Sequence, residues 1–356
     1  MRALLRLPNR GLLLAAALAF VALLYPRLDP DGAHVDFLAN AGAFMVLALG
    51  LNIVVGFAGL LDLGYAAFFA IGSYSYALLA SGQLGASGIH VPFWVMIFLA
   101  AGIAGLFGII LGAPTLRLRG DYLAIVTLGF GEIVPQVFLN ADKYTNGPNG
   151  IGSLDQPTFF GLQFGLNATP YYYVILALIA LAVLVATNLR NSRLGRAWMA
   201  IREDELAARH MGINTTVTKL AAFALGASFS GAAGVVYAAK LNIVSPDEFQ
   251  FSVSVLVLSM LVLGGMGNIP GVMLGSFVLY SINYFLLPQA GPLFEQAFHV
   301  TVDFTNYRFM LYGTILVAMM LFRPEGLLPS RQRRAELRAP LSDPSLAAQE
   351  NAEYGA

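Results

Sequence analysis

The chain has 356 residues, 58% of them hydrophobic and 11% charged, with a formal net charge of zero. A soluble domain carries about 25% charged residues, so a soluble globular fold is excluded, and a neutral chain has no bulk field to attract nucleic acid. No cysteine is present, which excludes disulfides and thiolate metal sites.

The first apolar run, Gly11 to Tyr25, follows Arg2 and Arg6 and has the look of a secretion signal. No small-x-small cleavage site comes after it, only Pro26, Arg27 and Asp29. We therefore expect residues 1–30 to hold a retained first span. Nine further apolar segments follow near 35–55, 60–81, 91–112, 121–140, 170–189, 216–240, 250–264, 271–288 and 307–322. Runs of about 20 apolar residues read as membrane spans. In hydrocarbon each must be helical, because an unpaired backbone group there costs several kcal/mol. The expected fold is an all-α polytopic membrane protein of about ten transmembrane segments. One transmembrane domain would cover 31–329, and a charged, Ala/Pro-rich tail at 330–356 is expected to be disordered.

Two of the segments look discontinuous. The gap Gly56–Gly59 is too short for an ordinary loop, and the run 250–264 is too short to span upright. Gly56, Gly59 and Gly64 interrupt one stretch; Gly264, Gly265, Gly267 and Gly271 interrupt another. Paired Gly-interrupted segments in two halves of a transporter point to the translocation path, although close helix packing explains the same glycines. Asn52, Tyr65 and Asn268 would supply polar groups along such a path. Glu132 stands inside "TLGFGEIVPQ". A carboxylate is costly in lipid, so it is expected to face the bundle interior, lining the path or paired structurally. "NGPNGI", Asn146 to Ile151, is a turn cluster in the longest external loop.

Orientation follows from Lys and Arg. Most fall in four alternate connections: Arg2 to Arg10, Arg117 and Arg119, Arg190 to Arg209, and Arg323 to Arg338. The positive-inside rule then places both termini in the cytoplasm.

The third connection, 190–215, is a dense charged island. At about 100° per residue, Ala197, Ile201, Ala208 and Met211 share an apolar arc. Arg202, Glu205 and Arg209 share another face with Trp198, at spacings that allow ion pairs. Gly212 and Asn214 suit a helix stop. The expectation is a short cytosolic helix near 198–211 with a docking face, against the plainer reading of a solvated loop that only fixes topology.

"GRAWMAIREDELAARHMGIN", Gly195 to Asn214, resembles the coupling loop of ABC-importer permeases, whose E-A-A-x-x-x-G appears here as "LAARHMG" with Leu206 in the Glu position. More closely, the chain resembles the branched-chain amino acid permease family, the Liv type. The likeness extends over "LGLNIVVGFAGLLDLGYAAFFAIGSY", "PTLRLRGDYLAIVTLGFGEI", "NGPNGI", "LGGMGNIPGVMLGS" and "YRFMLYGTILVAMMLFRPEGLL", in family order across most of 40–330. The resemblance implies a non-catalytic permease in the bacterial inner membrane. It implies as partners two ATP-binding subunits, a second homologous permease, a periplasmic substrate-binding protein and the membrane lipid. The coupling residues would be Trp198, Ile201, Arg202, Glu205, Leu206, Ala208, Arg209, Met211 and Gly212. Trp198, Ile201, Leu206 and Met211 would be the anchors.

No enzyme chemistry competes. The chain has no G-x-x-x-x-G-K-[ST], so it lacks a Walker phosphate cradle, and its four histidines are scattered. "GASFSG" places Ser228 in a span without a histidine partner, which fits small-residue packing rather than an intramembrane protease. No metal or cofactor is expected. The rival functions are a permease for urea or short amides and a stand-alone secondary transporter; the latter often shows several intramembrane carboxylates, where Glu132 is nearly alone.

Overall fold

The computed structural model describes residues 20–27, 29, 32–84, 90–115, 121–159, 161–165, 167–298, 304–323 and 325–328. The expected first span lies outside these residues except at 20–27, and the expected tail 330–356 lies outside them altogether. The described chain is helical: α1 Ala33–Leu51, α2 Tyr65–Leu79, α3 Phe93–Thr115, α4 Asp121–Asn140, α5 Ala168–Asn191, α6 Arg193–Glu203, α7 Glu205–His210, α8 Thr215–Leu241, α9 Phe251–Gly264, α10 Ile269–Ser281, α11 Leu287–Phe298 and α12 Arg308–Phe322. Among the described residues seven helices are long and apolar enough to cross a membrane, and α2 is a shorter apolar helix. The all-α expectation needs one small amendment. Two-residue strands pair antiparallel at Ile151–Gly152 with Ile243–Val244, and at Thr158–Phe159 with Leu162–Gln163. They stitch connections at the bundle end away from the charged island.

In the second half the run 250–264 forms α9, 14 residues long, and a 3-10 turn, Pro246–Phe249, precedes it across the extended Gln250, the two making a 19-residue apolar stretch. Its break lies at its end, Gly264. The segment after it is also longer than its apolar core: α10 continues through a π turn, Ile282–Leu286, into α11.

α8 is the central post and packs mainly against α3, α2 and α1. Glycine makes those contacts possible. A Cβ on Gly231 would lie 2.6 Å from the Ala100 carbonyl, and one on Gly72 would lie 2.4 Å from the Gly231 Cα. Gly105 and Gly108 face the Ala224 and Phe223 carbonyls in the same way. On α3 the small residues Ala100, Ala104, Gly105, Gly108 and Gly112 are buried, while Phe98, Leu106 and Ile110 are exposed. Large side chains outside and small ones inside are what lipid selects, since hydrocarbon already solvates Phe and Ile and only close backbones gain packing. Ser228 belongs to this contact: its hydroxyl donates to the Ala224 carbonyl at 2.8 Å.

At the end away from the island, Lys240 on α8 meets Asp36 Oδ1 at 2.8 Å and Asn40 Oδ1 at 2.7 Å on α1. The turn cluster after α4 is a tight turn: Asn146, Gly147 and Gly150 all have positive φ, and the Asn146 side chain donates to the Gly150 carbonyl at 2.9 Å.

Overpacking a filled helix contact costs about 1–3 kcal/mol. Gly231→Leu, pressed from two sides, should therefore lower the melting temperature in detergent by several degrees or abolish monodisperse protein. Gly102→Ala, where nothing lies within 4 Å of the added atom, should melt like the parent.

Candidate functional site

The two interrupted segments meet at one place. α1 does not end cleanly at Leu51; its last turn widens into a π turn, Asn52–Phe57. Such bulges leave backbone groups out of the regular ladder. The chain then runs through Gly59 at φ 69° and Asp62, whose Oδ1 accepts from the Gly64 N–H at 2.9 Å, before α2 starts. α9 stops at Gly264, with Gly265 at φ 113° and Gly267 at φ 81°. These positive values suit glycine and strain other residues.

The breaks are closed against each other. Asn52 is fully buried, and its Oδ1 accepts from the Gly267 N–H at 2.8 Å. A Cβ on Gly56 would sit 2.8 Å from that same nitrogen. The stretch after α12 closes the second break from below: the Leu327 and Leu328 N–H groups donate to the Leu263 and Gly264 carbonyls at 2.9 and 3.2 Å. Asn268 Nδ2 donates to the Leu328 carbonyl at 2.6 Å. Orphan carbonyls at the C-terminus of α9 are thus satisfied by the chain itself.

The charged island lies against this seam. It forms two helices, not one. α6 is capped by Ser192, whose Oγ accepts from the Gly195 N–H at 3.1 Å. At Asp204 the backbone turns extended, φ −151° and ψ 106°, and the carboxylate caps α7 through the Leu206 and Ala207 N–H groups at 2.8 and 2.9 Å. An acidic N-cap of this kind is strongly preferred, which is why the apolar arc breaks there. Gly212, φ 85°, ends α7; Asn214 starts α8 as its cap instead of ending the preceding helix.

The faces differ from expectation. Trp198 is fully buried in the chain's own core and donates from Nε1 to the Thr218 carbonyl at 2.7 Å. Ile201 and Ala208 are also buried. These three therefore anchor the island to the bundle and are not free to anchor a partner. Leu206 and Met211 are 59% and 84% exposed. Arg202 does not join Glu205 and Arg209 on an outer face. Its Nη1 donates to the Gly56 carbonyl at 2.7 Å, and its stem fills the space that a Cβ on Gly59 would take, 2.6 Å from Cγ. A Cβ on Gly267 would be 3.6 Å from the same Nη1. The charged island and the glycine breaks, expected as separate features, are joined by Arg202.

The remaining path candidates are placed differently. Tyr65 is buried and donates to the Gly226 carbonyl at 2.8 Å; Gly64 packs on the Thr127 carbonyl. These are closed contacts rather than an open passage. Glu132 is exposed on α4 and opens on a groove of about 610 Å³ that α4 shares with α9 and α12, lined also by Gln136, Asp247 and Gln250.

The family described as "Branched-chain amino acid transport system / permease component" matches residues 34–320 of this chain. The chain belongs to that permease family. It is 40% identical to the high-affinity branched-chain amino acid transport system permease protein LivM of Salmonella typhimurium, over 91% of this chain and 76% of the relative. The LivM of Escherichia coli is 39% identical over 92% and 77%. A probable LivM of Methanocaldococcus jannaschii is 26% identical over 82% and 91%. No solved structure matches the chain.

In this permease, sequence reading passed over several residues of the site. Lys219, at the start of α8, is buried, and its ammonium meets Glu205 Oε2 at 2.6 Å; Glu205 also lies 3.5 Å from Arg209. A lone lysine at the edge of an apolar run was the available signal, since such a charge needs a partner. The closure by Leu327 and Leu328 carried no signal at all, being a backbone contact over a long sequence separation. Breaking a buried ion pair costs about 3–5 kcal/mol; with Glu205 partly exposed we expect about 2 kcal/mol. Glu205→Ala should lower the melting temperature, and Glu205→Ala with Lys219→Met should recover most of the loss. Equal melting of the single and double variants would contradict a stranded charge.

Proposed function

We propose that the permease is the membrane-spanning subunit of an ATP-driven importer for branched-chain or related amino acids in a bacterial inner membrane. The substrate class rests on what the relatives are named for. In this reading ten segments cross the membrane, both termini are cytoplasmic, and the α6–α7 element lies in the cytoplasm. Its partners are two ATP-binding subunits that dock on α7, a second similar permease, and a periplasmic binding protein that delivers substrate. The observation that carries the reading is α7 itself: Leu206 and Met211 stand exposed beside Arg209, on a helix whose other side is fixed to the bundle through Ala208 and the Glu205–Lys219 pair. An interface rests on a few such apolar anchors, and a rim arginine selects the partner's surface.

The seam of Asn52, Gly56, Gly59, Gly267 and Asn268 serves as the closed inner end of the path. The groove at Glu132 is a wall of that path, covered by the second permease, because a carboxylate facing hydrocarbon is costly. The chain performs no chemistry; hydrolysis belongs to the ATP-binding subunits, which supply the phosphate cradle that it lacks.

Leu206→Glu with Met211→Glu should leave the permease monodisperse and reduce co-purification of the ATP-binding subunits by on the order of tenfold, equivalent to about 1.4 kcal/mol. Unchanged assembly and transport would remove α7 as the docking face. The native chain has no cysteine, so single substitutions report topology. Gln163→Cys should react with an impermeant thiol label from outside and Ala207→Cys should not; the reverse pattern would invert the arrangement.

A further inference from the structure

We propose that Arg202 is a latch that transmits movement of the α6–α7 element to the seam between the two interrupted helices. The inference rests on the coupling reading above and names the residue that would carry it.

Three observations converge. First, Arg202 belongs to the last turn of α6 yet ends in the seam, where Nη1 holds the Gly56 carbonyl at 2.7 Å. Second, that carbonyl lies in the widened last turn of the first interrupted helix, and Gly267 follows the end of the second. Helix C-termini carry partial negative charge, so the guanidinium sits beside two of them. A hydrogen bond from a charged donor contributes about 1.5–3 kcal/mol, more than a neutral one. Third, the route is cleared by glycine. Gly59 gives way to the Arg202 stem, and a side chain at Gly56 would press on Asn52 Oδ1 and the Gly267 nitrogen. The same small group of atoms therefore holds α1 to α9, through Asn52 and Gly267, and holds the break of α1 to the island, through Arg202.

The mechanical consequence follows from how each end is fixed. Trp198 and Ile201 seat α6 on the bundle, and in this scheme α6 tilts about them; the extended backbone at Asp204 makes α7 a separate piece. A push on α7 reaches the start of α8 through Glu205 and Lys219. Tilting of α6 reaches the seam through Arg202. Withdrawing the guanidinium frees the Gly56 carbonyl, next to the Asn52–Gly267 bond that joins the two breaks. In this scheme Arg202 is a positioning residue. It touches no substrate, and it decides whether the seam opens when the docked subunits move.

The test uses the assembled transporter, with both permeases and both ATP-binding subunits, in proteoliposomes supplied with the binding protein and leucine. Arg202→Ala should keep the ATP-binding subunits associated and hydrolysing ATP, while transport per ATP hydrolysed falls on the order of tenfold. Arg202→Lys, which keeps the charge but not the planar fork, should recover part of that ratio. A purely structural residue would lower assembly, hydrolysis and transport together and leave their ratio unchanged. Wild-type transport per ATP in Arg202→Ala overturns the latch. Loss of subunit association in Arg202→Ala also overturns it and makes Arg202 a docking residue. If neither variant yields monodisperse permease, Arg202 is a folding residue and the latch falls. Failure of the unmodified chain to bind any ATP-binding subunit would instead overturn the coupling reading itself.

Discussion

A helix that stops among packed helices leaves backbone carbonyls and N–H groups that need new partners, and the seam of this structure is arranged around that constraint. The permease stops two helices, at Phe57 and at Gly264. It settles the loose groups with side chains and distant backbone: Asn52 for one N–H, Arg202 for one carbonyl, and the stretch 327–328 for two more. Each solution borrows from a different part of the sequence. The breaks are therefore where the first half, the island and the end of the last helix are tied together. A continuous helix would have needed none of them.

The same constraint explains the distribution of small residues. Hydrocarbon gives no driving force for burying Leu or Phe between helices, so packing depends on how closely backbones approach. α8 reaches that limit against α2 and α3, where glycine meets glycine and carbonyl.

Much of this was legible. The membrane class followed from composition, and the helices fell close to the apolar runs. The broken stretches were marked by clustered glycines, because only glycine tolerates the backbone angles at Gly59 and Gly267. The island was visible as charge where charge is scarce. What periodicity could not say is which body a face meets. Trp198, Ile201 and Leu206 read alike as apolar anchors, yet the first two turn into the chain and the third turns out. The split at Asp204 hid behind one capping side chain. Glu132 is a related case: it was assigned to the bundle interior, and within one chain it stands in an open groove between α4, α9 and α12. Contacts between residues far apart in sequence, such as Leu327 with Leu263, leave no local pattern to read.

The closure by residues 325–328 also orders events in time. A chain made from its N-terminus acquires its parts in sequence, and these are the last described residues to leave the ribosome. The helices can be inserted while the carbonyls of Leu263 and Gly264 still lack their final partners. The seam is completed only once residues 327–328 have emerged and folded back beneath α9. A message truncated just before Glu325 would encode every described helix and still lack the partners of the Leu263 and Gly264 carbonyls.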